Sequence, residues 1–311
     1  ESTKSFNYGV DLQLFRGITM VLEYYTRETN AIVDQKLSQE NGIESFHVNG
    51  GIITNKGIEY TLNFTPFSRE NFAWTVGLNA SKNWNELVAK RREISPSELR
   101  RAYLAGDNAN VRPGYPIDGF WSYDFAGLDP ETGAPTFNKL DITSEEYSGD
   151  PADLLVYSGE KTPYFTGGIN TRLRYKSFSL NTGFELRLGG QKLNQTLLNK
   201  VENAYPKVNV DKRVLSERWE KPGDVTRYKG LNNDKNTVAN NRFVADESTF
   251  IWRNINIQYD FPRRICKYMR MERLSLSASM MDLLYISTIE QERGTDYPFS
   301  VKPSFSISCT F

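Results

Sequence analysis

Phe6-Asn7-Tyr8-Gly9-Val10-Asp11-Leu12-Gln13-Leu14 alternates apolar and polar residues without a break. A strand turns successive side chains to opposite faces, so this run carries one greasy face, Phe6 to Leu14, and one polar face, Asn7 to Gln13. The period returns along the chain. Ile18, Met20, Leu22 and Tyr24 oppose Thr19, Val21, Glu23 and Tyr25, and Ile58, Tyr60, Leu62 and Phe64 oppose Glu59, Thr61 and Asn63. Phe72, Trp74, Val76, Leu78 and Ala80 then oppose Asn71, Thr75, Gly77 and Asn79. Later come Phe165 to Tyr175, Phe178 to Leu188, Ile251 to Phe261, Leu274 to Met280 and Val301 to Phe311, which makes nine strands. In the run from Ile251, the odd residues Ile251, Ile255, Ile257 and Tyr259 read as one greasy face, opposite Trp252, Asn254, Asn256 and Gln258.

The connections alternate in length. Short ones fall at Arg16-Gly17, Pro66 to Asn71, Lys176-Ser177 and the basic segment Pro262 to Arg273. Long ones run from Thr29 to Lys56, Asn85 to Pro163, Gly190 to Ser248 and Ser287 to Ser300. Long loops on one side only, strands long enough for a tilted membrane crossing, and aromatics at strand ends predict an all-β transmembrane antiparallel barrel. Short turns then face the periplasm and long loops the exterior. A soluble β-rich binding module and an outer-membrane barrel enzyme are the alternatives.

Composition fits the barrel and narrows the function. Aromatic residues are 13% and all hydrophobic residues only 39% of the chain, as expected when every second strand residue faces water. No stretch of about 18 apolar residues offers a transmembrane helix. With 38 basic and 38 acidic residues there is no net field to grip nucleic acid. Cys266 and Cys309 have no metal-ligand spacing, and no cofactor or metal is implied. His47, the sole histidine, lies in the first long connection beside Asn49-Gly50-Gly51 with no nucleophile or base pattern near it, so no enzyme is expected. The start at Glu1, without Met or a leader, suggests a piece of a longer protein. Nine strands also fall short of an even-numbered closed barrel.

The long loops hold three distinctive segments. These are Gly114-Tyr115-Pro116-Ile117-Asp118-Gly119-Phe120-Trp121-Ser122-Tyr123-Asp124-Phe125-Ala126-Gly127-Leu128-Asp129-Pro130-Glu131-Thr132-Gly133, then Arg218-Trp219-Glu220-Lys221-Pro222-Gly223-Asp224, then Asp246 to Pro262. In this order, ahead of a last strand ending in Phe311, they resemble the SusC/RagA-like TonB-dependent transporters of Bacteroidetes. The opening Lys4 to Asp11 and Gly57 to Tyr60 are similar to strands of that family.

The resemblance implies a barrel of about 22 strands with an N-terminal plug, of which residues 1–311 are the C-terminal part of a single barrel domain. It implies import of oligosaccharides or peptides across the bacterial outer membrane. The partners would be the remainder of the barrel with its plug, a SusD-like lipoprotein as lid, the TonB complex through the missing N-terminal region, the substrate and the lipid bilayer. Many relatives carry an acidic stretch after the Leu128 to Gly133 segment; here Asn138 to Gly149 departs from it, and no bound metal is expected. Tyr115, Trp121, Tyr123 and Trp219 are candidate substrate or lid contacts, since aromatic faces stack on sugars and close interfaces; internal packing of the loop is the competing role. Asp129 to Gly133 reads as a turn. Phe311, an aromatic end on an alternating strand, resembles the barrel-assembly signal.

Overall fold

The computed structural model describes residues 2–15, 17–36, 45–90, 112–138, 155–205, 207–233, 235–290 and 302–311; the side chains of 31–50 and 89–90 lie outside that description. In chain order the strands are β1 (Ser2–Phe15), β2 (Ile18–Lys36), β3 (Ser45–Arg69), β4 (Phe72–Lys90), β5 (Gly119–Tyr123), β6 (Phe125–Leu128), β7 (Pro135–Phe137) and β8 (Leu155–Glu160). They continue as β9 (Phe165–Tyr175), β10 (Phe178–Leu188), β11 (Gln191–Leu193), β12 (Val244–Asp246), β13 (Thr249–Asp260), β14 (Arg273–Ser287) and β15 (Ser304–Thr310). Nine of them form one antiparallel sheet in the order β1-β2-β3-β4-β9-β10-β13-β14-β15. These are the nine alternating runs of the sequence, each paired with the next.

Pairing register turns nine amphipathic strands into one amphipathic wall. Leu12, Met20, Leu62, Leu78, Ile169, Phe184, Trp252 and Leu284 sit opposite one another in a row across eight strands. On the other face the row is Gln13, Thr19, Asn63, Gly77, Asn170, Gly183, Asn254 and Met281. A slip of one residue at any pairing would mix the two faces, so each register is fixed by the whole wall. The greasy face stays bare, with Phe305 at 75% and Tyr8 at 66% exposure, far more apolar surface than a water-facing sheet tolerates. Two indole N–H groups on this face find acceptors. Trp74 Nε1 donates to Thr171 Oγ1 at 2.8 Å and Trp252 Nε1 to Thr182 Oγ1 at 2.7 Å, each across a strand pair. Rings gather at the short-turn end, where Phe178 and Tyr259 lie 4.6 Å apart and Tyr259 and Phe261 5.0 Å.

Three readings of the sequence change. The β2–β3 hairpin is longer than alternation indicated: β2 continues to Lys36 and β3 begins at Ser45, so His47 belongs to a strand, opposite Asp34, instead of a loop. Backbone pairing carries these strands on past the point where side-chain alternation fades. Likewise β4 reaches Lys90, into the connection expected from Asn85. The third change is one of phase. Between Trp252 and Asn254 the register shifts, so Ile251 pairs with Glu185 on the polar face while Trp252 pairs with Phe184 on the greasy one. Arg253 is the extra residue of this bulge. The turn from β13 to β14 holds a short helix, α1 (Arg263–Tyr268). The segments 139–154 and 291–301, including most of the last long connection, lie outside the described residues.

Candidate functional site at the long-loop mouth

The second and third long connections fold into a single structure above the sheet. The first part rests on β4: Leu87 N–H donates to Tyr115 O at 3.0 Å, and Asn85 Oδ1 accepts from Ile117 N–H at 2.8 Å. From there β5 pairs with β8 and β6 with β7. Asp129 caps the β6–β7 turn, its Oδ1 accepting from Glu131 N–H at 2.8 Å and Thr132 N–H at 3.2 Å. These two donors hold the Asp129 carboxyl below the usual carboxylate range. The expected turn is therefore present, and Gly133 occupies it at φ +66° beneath the Trp219 ring, where a Cβ would collide.

The third connection has its own core. Leu198, Val201, Tyr228 and Phe243 are buried together, with Leu193, Leu197 and Ala239 against them. At its centre Glu202, 1% exposed, accepts from Thr237 Oγ1 at 2.8 Å and from Lys229 N–H at 3.3 Å, and pairs with Arg242 Nη2 at 2.9 Å. A buried carboxylate is tolerable only with such a set of partners. The Arg242 guanidinium also lies over Phe243 at 4.5 Å and, from the other connection, over Phe125 at 4.1 Å. It joins the two loops.

Further contacts lock them. Asp124 Oδ1 accepts from Asn241 Nδ2 at 2.7 Å, and Asn241 Oδ1 accepts from Phe125 N–H at 3.0 Å. Pro130 O accepts from Trp219 Nε1 at 3.1 Å and from Gly223 N–H at 2.9 Å. Gln191 Oε1 accepts from Glu160 N–H at 2.8 Å.

The four candidate contact residues fall in different places. Tyr115 and Trp121 meet edge to face at 4.8 Å, Tyr157 joins them at 5.0 and 5.6 Å, and Arg112 caps the Trp121 ring at 3.9 Å. Tyr115 and Tyr157 keep 38% and 37% of their surface exposed, so this cluster offers flat apolar faces with polar edges. Burial, then the charges of Glu160 and Asp118, push the Tyr157 hydroxyl up to about 12, so it is a neutral donor at physiological pH. Tyr123 is different. It is 2% exposed and packed with Leu155 and Phe137, so in this chain its ring takes the internal-packing role. Trp219 is spent on the joint between the loops, its N–H on Pro130 and its ring on Gly133. Phe311 follows β15 and is 81% exposed.

Below the mouth the polar face of the sheet forms a concavity of about 650 Å³, lined by Glu59, Asn79, Gly168, Asn170, Glu185 and Arg253 among others. Arg253 Nε donates to Glu185 Oε2 at 2.6 Å and Nη1 to Asp282 Oδ1 at 3.2 Å, while Arg187 Nε reaches Glu185 Oε1 at 2.5 Å. The bulge points Arg253 into this network. Sequence reasoning missed Glu202, Arg242, Asp124 and Tyr157: none lies in a recognisable motif with its partners, which arrive from up to 117 positions away.

Comparison with known proteins gives the following. No family model matches the chain. It is 26% identical to TonB-dependent receptor P3 of Formosa agariphila, over 96% of this chain and 30% of that protein. It is 22% identical to TonB-dependent receptor SusC of Bacteroides thetaiotaomicron, over 64% of this chain and 20% of that protein. Among solved structures, the RagAB peptide importer in the open-open state matches with a TM-score of 0.74 at 19% identity, over 99% of this chain and 34% of that one. In sequence the chain is similar to TonB-dependent receptors, SusC among them, and in fold to the RagAB importer; it spans about a third of the length of receptor P3 and of that structure.

Proposed function

We propose that this chain forms one side of an outer-membrane transporter that imports oligosaccharides or peptides, driven through a TonB complex and lidded by a SusD-like lipoprotein. In this reading residues 1–311 are the C-terminal part of a single barrel domain, completed by further strands and a plug. The observation that carries it is the two-faced nine-stranded wall, greasy across one whole face and polar across the other, crowned at one end by interlocked loops. Such a wall suits lipid outside and a watery lumen inside. Its edges support the larger barrel: among the described residues β1 pairs only with β2, and β15 only with β14. The likeness to proteins named TonB-dependent receptors supplies the coupling, and that to a peptide importer supplies one substrate class.

Among the described residues, Tyr115, Trp121 and Tyr157 are those best placed to touch substrate or lid; Trp219 and Tyr123 hold the platform in shape. Phe311 is proposed to serve barrel assembly. The test is uptake of labelled oligosaccharides and peptides by cells expressing the full-length protein, by cells lacking it, and by cells lacking TonB. Uptake that requires both genes is expected. Equal uptake in all three strains would contradict the reading.

A further inference from the structure

The connection Pro262 to Arg273 is far more basic than a turn requires. It carries Arg263, Arg264, Lys267, Arg270 and Arg273 against a single acid, Glu272. Only Arg273 has an ion-pair partner among the described residues, Asp260 at 3.2 Å. Within α1, Arg263, Arg264 and Lys267 fall at i, i+1 and i+4, on one side of the helix. Ile265, Tyr268 and Met269, at i, i+3 and i+4, form a separate apolar stripe with 41%, 91% and 46% of their surface bare. Cys266, 3% exposed, is the side facing the protein, its Sγ on Phe261 O at 3.5 Å.

Position decides what such a helix meets. Phe261 N–H bonds to Leu274 O at 2.9 Å, so the turn begins directly beyond the ring group of Phe178, Tyr259 and Phe261 that ends the greasy face. The short helix therefore starts where the greasy wall ends at its aromatic border, and it leaves exposed both the apolar stripe and four cations that have no ion-pair partner among the described residues. A surface that is apolar in its interior and anionic at its boundary complements both features at once.

We propose that this turn is a lipid anchor: Arg263, Arg264, Lys267 and Arg270 hold the phosphates of anionic phospholipids in the leaflet at the short-turn end, and Ile265, Tyr268 and Met269 enter that leaflet's interface. The inference rests on the reading of the greasy face as lipid-facing.

The test reconstitutes the full-length protein in phosphatidylcholine bilayers doped with phosphatidylglycerol and measures, by native mass spectrometry, the phospholipid that stays bound after extraction. The native protein retains phosphatidylglycerol in preference to phosphatidylcholine. The Arg263→Gln/Arg264→Gln/Lys267→Gln/Arg270→Gln variant loses at least about tenfold of that preference, and high salt mimics the loss. All four side chains are exposed, and heat-modifiable gel mobility checks that the variant still folds as a barrel. A folded variant with the native preference, or a native protein with none, overturns the anchor. So does capture of soluble polyglutamate with lipid preference unchanged by the substitutions, which would mark a site for an acidic protein. Failure of the native protein to insert into either bilayer overturns the membrane reading and the anchor with it, whereas insertion without lipid preference removes the anchor alone.

Discussion

Glu202 shows how a single residue can set the shape of the mouth. Its carboxylate is buried with Arg242, Thr237 and Lys229 N–H as partners, and Arg242 in turn bridges two loops through Phe125 and Phe243. Glu202→Ala leaves the guanidinium without its counter-charge and is expected to destabilise the loop structure by about 3–5 kcal/mol. Hydrogen exchange of the amides in 193–203 and 237–243 of the full-length protein measures it. Nothing in the sequence marks Glu202, because burial and partners are properties of the folded loop. Two other carboxyls of the mouth act with opposite signs. Burial first, then Asp118, raise the Glu160 pKa against the opposing Lys82, so its contribution to stability is present at acid pH and lost as pH rises through that raised value. Asp211 is held low, chiefly by its hydrogen bond from Arg213, so its contribution is present at neutral pH and lost as pH falls through the depressed value. Fluorescence melts across this range should show Glu160→Gln raising mouth stability at neutral pH by a few tenths of a kcal/mol, the group being partly solvated, and making no difference once Glu160 is protonated.

At the scale of the strand, alternation was almost sufficient. Each of the nine strands of the large sheet was legible from period two, because a sheet with one apolar and one polar face demands opposite chemistry at successive residues, whereas the short strands of the mouth, read as loop, were not. The exception is β13. Ile251 and Trp252 are adjacent and both apolar, so either phase fits the letters, and the bulge at Arg253 is seen only through pairing with β10 and β14. Strand ends were also illegible in β2, β3 and β4, which run on beyond the greasy band into the mouth, where neither face needs to be apolar. The Trp–Thr pairs on the greasy face are an element-scale device, one hydroxyl on a neighbouring strand per indole. Thr182→Val removes the shorter of the two acceptors of Trp252 Nε1 and leaves Asn254 O at 3.2 Å, so it is expected to cost about 0.5–1.5 kcal/mol. Urea unfolding of the full-length barrel in bilayers, with and without the companion Trp252→Phe, isolates that pair.

Across the whole molecule, the division of labour follows from the two faces and the two ends of the sheet. The wall was readable from sequence, as were its order and the end that carries the loops. The mouth was readable only as motifs: Tyr115 and Trp121 do come together, but Tyr123 is core and Trp219 is a joint, since a loop of this size spends its large side chains on its own packing first. The central claim is that the greasy face lies against lipid and the polar face against water. Nitroxide labels placed one at a time from Thr249 to Gln258 in the bilayer-embedded full-length protein test it most directly, by comparing accessibility to oxygen and to a water-soluble relaxation agent. The account predicts lipid-like accessibility at Phe250, Trp252, Ile255 and Ile257, with Arg253, Asn254 and Asn256 water-accessible, Ile251 buried on the polar side and reached by neither agent, and the alternation broken once, at Arg253. Uniform aqueous accessibility, or unbroken alternation that places Ile251 in lipid, would contradict it.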